Sequence, residues 1–120
     1  MLKSLTVAAV LSTLAFAATP ALAHDYDGHI RRDWEQVQRD KAQVRADEAR
    51  LQREQQEAAQ ARYRAHEAWE HGNIGEARRQ WDRARHESGD VREAQRKLDH
   101  DRAQLQADRR DLRQDIERQW

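Results

Sequence analysis

Apolar residues recur at intervals of seven along most of this chain. Val37, Val44, Leu51, Ala58 and Ala65 form one row, and Ala77, Ala84, Val91, Leu98, Leu105 and Leu112 form a second. A row kept in strict seven-residue phase predicts a helix that winds around a partner in a left-handed supercoil. The companion positions are read one turn away. They are Trp34, Lys41, Glu48, Gln55, Arg62 and Trp69 in the first half, and Trp81, Ser88, Gln95, Arg102, Arg109 and Ile116 in the second. Only the ends of these rows are apolar. The predicted seam is therefore Trp34, Val37, Val44, Leu51, Trp69, Ala77, Trp81, Ala84, Val91, Leu98, Leu105, Leu112 and Ile116, greased by Trp at both ends and wet in the middle.

Between the halves stands His71-Gly72-Asn73-Ile74-Gly75-Glu76. Gly72 suits the left-handed conformation that closes a helix. Asn73 suits the cap of the next, with Glu76 three residues on as in a capping box. So short a connection sends the second helix back antiparallel. The fold class expected is all-α, a long antiparallel two-helix hairpin over about 31–71 and 74–119, with the turn at Gly72 and Asn73. Each arm is about 60 Å long at 1.5 Å per residue. Gly89 costs about 1 kcal/mol inside a helix, but the row keeps its phase through it, so the second arm reads as continuous.

Residues 1–23 read as a cleaved signal peptide. Lys3 is its positive end, Leu5 to Phe16 its apolar run, and Ala21-Leu22-Ala23 its cleavage site. The expectation is export to the periplasm or beyond, with a mature chain starting at His24. Residues 24–30 then read as a flexible tail ahead of the hairpin. The apolar run is too short for a spanning helix, and with no Cys a lipid anchor after the cleavage site is not expected.

Composition sharpens this picture. Charged residues make up 37% of the chain and large aliphatics are few, a balance usually read as disorder. Two features oppose that reading. Acidic and basic residues cancel to a formal net charge of +0, and the sequence is rich in strong helix formers, with its one Pro inside the signal. Neutrality argues against nucleic acid as a partner. The carboxylates read as scattered and locally offset by Arg, as in Asp47–Arg50 and Glu117–Arg113. No nucleophile–base constellation, metalloprotease motif or phosphate loop is present, so the chain reads as non-enzymatic.

One segment is echoed. Asp40-Lys41-Ala42-Gln43-Val44-Arg45-Ala46-Asp47, with Leu51 and Glu54, matches Asp101-Arg102-Ala103-Gln104-Leu105-Gln106-Ala107-Asp108, with Leu112 and Asp115, at a constant offset of 61. Duplication and convergence on one helix composition both account for it. The run Gly72 to Ala77 with Trp81 and Ala84 resembles the turn and second helix of a tetratricopeptide repeat, although Ala61, Arg64 and Ala65 stand in place of the first helix's Trp, Leu and Gly. In architecture the whole resembles small exported helical-hairpin proteins of the Spy/CpxP-like periplasmic stress type, without their L-T-x-x-Q motifs.

The expected function is interaction: a scaffold, a chaperone-like role or an envelope-stress role. The thin seam adds an expectation of self-association or of binding to other envelope proteins, because a lone hairpin of this kind is marginal. An alternative is metal buffering: His24, as a new N-terminus, and His29 offer a copper or nickel site. A third is a subunit that folds on a larger envelope partner.

Overall fold

A computed structural model describes the chain from Ala23 to Trp120, with side chains from Asp27 onward. Residues 1–22, and with them nearly all of the expected signal segment, lie outside the described residues. The rest is two helices, α1 (Ala23–Glu70, 48 residues) and α2 (Ile74–Glu117, 44 residues), folded into an elongated antiparallel hairpin. Among the described residues there is no strand, and no helix is long and apolar enough to cross a membrane.

The turn follows from three residues. Gly72 takes φ +72°, where an L side chain is strained. The Asn73 N–H donates to the Ala68 carbonyl at 2.8 Å and the Gly72 N–H to Trp69 at 3.0 Å, the paired bonds of a Schellman ending. The Asn73 side chain then accepts from the Glu76 N–H at 3.4 Å and caps α2. The reciprocal half of the capping box does not form. Glu76 turns forward, accepting from Arg79 at 2.7 Å and from Gln80 at 2.8 Å. Gly89 leaves α2 unbroken, and Ser88 donates back to the Ala84 carbonyl at 2.7 Å within the helix.

The core changes character along the hairpin. At the open end Val37, Val44, Leu98 and Leu105 are buried, flanked by half-buried Leu51 and Leu112. Towards the turn the buried residues are Ala58, Ala61, Ala65, Ala77, Ala84 and Ala94. Val91 is half-buried. Val37 and Leu98 are almost completely enclosed, so each contributes close to the 1.5–3 kcal/mol or so that complete burial gives.

Two expectations are corrected. Residues 24–30 are not a separate tail, because α1 already begins at Ala23. Nothing in this stretch but Gly28 opposes helix, and a helix once nucleated propagates readily. The second correction concerns the seam. Trp34, Trp69, Trp81 and Ile116 are 55%, 62%, 42% and 42% exposed and do not fill it. Near the turn alanine faces alanine, and an indole between them would hold the helices apart.

Candidate functional site: two flanks of opposite charge

Three contacts between the arms fix their register. Lys97 Nζ lies 3.3 Å from Asp47 Oδ1 while donating to Asp101 Oδ2 at 2.6 Å. Arg102 Nη2 donates to Glu48 Oε1 at 2.9 Å, and Arg62 Nη2 to Ser88 Oγ at 3.0 Å. Stepping along by sevens from these contacts places every other position. The second inward row is three residues after the first: Asp33, Asp40, Asp47, Glu54, Ala61 and Ala68 on α1, and Gln80, Glu87, Ala94, Asp101, Asp108 and Asp115 on α2. All of these are buried or half-buried. The side chains that complete the interface over its open half are therefore carboxylates.

Antiparallel pairing brings those acids together two by two. Asp33 meets Asp115, Asp40 meets Asp108, and Asp47, only 4% exposed, meets Asp101. Burial, then hydrogen bonding to Asp115 and the charges of Asp115 and Asp111, push Asp33 above its ordinary value against the pull of His29. Hydrogen bonding to Asp40, then burial and the nearby carboxylates, push Asp108 up. In the third pair hydrogen bonds from Asp47 and then Lys97 hold Asp101 below its ordinary value. Asp40 accepts from Gln36 at 2.9 Å through Oδ1, while its buried Oδ2 has no donor.

These positions all open onto one flank. Glu57, Asp90, Asp111 and Glu76 extend the acidic strip there, in a row that also carries Arg50, Arg64, Arg83, Lys97 and Arg118. The carboxylates of Glu54, Glu87 and Asp90 lie within 4.8 Å of one another. Two of the three already have a cation from their own helix, Arg50 at 3.9 Å from Glu54 and Arg83 at 3.6 Å from Glu87. Shallow clefts sit at both ends of the flank. One, of about 320 Å³, is lined by His29, Ile30, Asp115 and Arg118. The other, of about 330 Å³, lies by the turn among Arg64, Ala68, His71 and Gln80.

The opposite flank carries the other sign. It begins with the positions read from the sequence as companions of the core. Trp34 stands level with Ile116, Lys41 with Arg109, Glu48 with Arg102, Arg62 with Ser88, and Trp69 with Trp81. The next row outward adds Arg31, Arg45, Arg78, Arg85, Arg92 and Arg113. Only Asp27, Glu48 and Asp99 oppose them. Within the described residues Lys41, Arg45, Arg62, Arg78, Arg85, Arg92, Arg109 and Arg113 make no ion pair, whereas Arg31 pairs with Glu35 and Arg102 with Glu48. An open cleft of about 370 Å³ is framed by Arg62, Trp81, Ala84, Arg85, Ser88 and Arg92. Neutral in sum, the hairpin is thus strongly divided in charge from side to side.

The candidate residues from sequence distribute as follows. Val37, Val44, Ala77, Ala84, Leu98 and Leu105 are buried in the seam, and Leu51, Val91 and Leu112 border it. Gly72 and Asn73 make the turn. His24 and His29 are five residues apart on a continuous helix, about 140° around its axis. The His24 side chain lies outside those described. Local offset of carboxylates by Arg does occur, as in Arg50–Glu54, Arg83–Glu87 and Arg118–Asp115, but Asp47 pairs with Lys97 across the hairpin instead of with Arg50. What the sequence reading missed is the row three residues on, although the seven-residue spacing of Asp33, Asp40 and Asp47 and of Asp101, Asp108 and Asp115 was there to be seen. No family model matches this chain, and no curated protein or solved structure matches it either.

Proposed function

We propose that this chain is an exported, non-catalytic interaction protein of the periplasm, with a scaffold or chaperone-like role in the cell envelope, that works by self-association. One observation carries the reading. Trp34, Trp69, Trp81 and Ile116 stand exposed on a single flank beside unpaired arginines. Trp and Arg are the residues most enriched at the centres of protein interfaces, and apolar area held in water is what association removes. The Lys3 to Ala23 pattern supports the location.

The test is expression of the full chain in a bacterial host. Fractionation and N-terminal sequencing should find a periplasmic product that begins at His24. Sedimentation equilibrium of that product over a hundredfold concentration range should show reversible association with helicity retained throughout. An unprocessed cytoplasmic product sinks the export reading. A helical monomer at every concentration sinks self-association.

A further inference from the structure

We propose that copies of this hairpin stack side by side, the basic, Trp-bearing flank of one docked on the acidic flank of the next. The proposal rests on the interaction reading above and names the partner as a second copy of the chain.

Charge is the first argument. Each molecule carries both halves of a complementary pair on opposite sides. The heights also agree. Lys41 and Arg109 lie level with the Asp40–Asp108 pair, which Gln36 and Gln104 face but no cation of its own chain does. Arg62, Arg85 and Arg92 lie level with Glu54, Glu87 and Asp90. A neighbour shifted sideways without sliding therefore sets unlike charges opposite each other at these two levels.

Shape is the second argument. Trp34 and the Trp69–Trp81 pair project near the two ends of the basic flank, 35 residues or about 53 Å apart along α1. The acidic flank has its clefts at the same two ends, beside Ile30 and beside Ala68. The same sideways shift brings indoles to clefts. Because the two surfaces differ, the contact is heterologous and repeats, giving open rows rather than a closed dimer. Exposed ion pairs are individually weak and screened by salt, so the rows should dissolve as ionic strength rises.

Two variants of the full chain decide the matter. One carries Arg62→Gln, Arg85→Gln and Arg92→Gln; the other carries Glu54→Gln, Glu57→Gln and Asp90→Asn. Circular dichroism establishes that each is helical. By sedimentation velocity the parent protein should form salt-sensitive oligomers, and each variant alone should associate at least tenfold more weakly. Mixed, the two should recover a 1:1 complex, since each retains the flank the other lacks. Variants that associate like the parent, or a helical mixture that stays monomeric, overturn the proposal. A parent that is monomeric alone but binds polyglutamate through its arginines overturns it together with self-association, and leaves only an interaction role with another partner. A parent that neither associates nor binds polyglutamate or vesicles rich in phosphatidylglycerol defeats both.

Discussion

Two carboxyl pairs one heptad apart in the same seam behave in opposite ways. Asp40 and Asp108 meet between Gln36 and Gln104, and Asp108 is pushed up. Asp47 and Asp101 meet between Gln43 and Lys97, and Asp101 is held down. The two sites are almost copies. Segments 61 residues apart are equivalent, so Asp40 corresponds to Asp101, Asp47 to Asp108 and Gln43 to Gln104, related by a local twofold axis through the Val44–Leu105 layer. Lys97 stands where the twin site has Gln36, and Asp111 stands near Asp108 where the twin has Arg50. The Asp47 hydrogen bond and then the Lys97 ammonium hold Asp101 down, whereas Asp40, burial and the Asp111 charge push Asp108 up.

The strongest way to break the comparison is to remove the wall the sites share. Leu105→Ala should cost about 2–5 kcal/mol, lowering the urea midpoint and loosening both pairs together. An unchanged midpoint places the core elsewhere. Gly72→Ala acts at the turn and leaves both sites alike. At φ +72° it should cost about 1–2 kcal/mol, with the difference between Asp101 and Asp108 preserved by NMR titration.

Smaller changes sharpen the contrast. Asp108→Asn relieves like-charge repulsion and should stabilise at neutral pH by roughly 0.5 kcal/mol. Asp101→Asn should destabilise, and equal signs refute the distinction. Lys97→Gln makes the second site resemble the first, so the Asp101 titration should move up towards that of Asp108. If it does not move, Asp47 alone sets it.

The pH dependence follows from the same directions. Asp33 and Asp108, raised in the fold, contribute stability that is full below their unfolded values and lost as pH rises through the raised ones. Asp101, lowered, contributes above its unfolded value and loses that as pH falls through the lowered one. Acidification from neutrality should therefore first raise the urea midpoint and then, below about pH 3.9, let it fall. In the Lys97→Gln protein the later fall should shrink.

Much of this architecture is legible in local sequence. Heptad phase alone gives the core row from Val37 to Leu112, and Gly72 with Asn73 gives the turn, because both depend on neighbours within one or two helical turns. The second row is harder to read. A heptad offers candidates on either side of the core, and apolarity favours Trp34, Trp69, Trp81 and Ile116 over aspartate. The fold chose otherwise: acids meet in pairs at the seam, one pair beside a lysine, while Trp69 and Trp81 stand outside alanine layers too close to admit them.

The sequence by itself determined two helices, their reversal at Gly72–Asn73 and an electrically neutral chain. Only the tertiary structure decided that this neutrality is divided between two flanks and that the aspartates meet in pairs. Helix periodicity is a property of one segment, readable along the chain. Which charges face each other is set by the antiparallel register between residues some 50–80 apart in sequence, and nothing local encodes that.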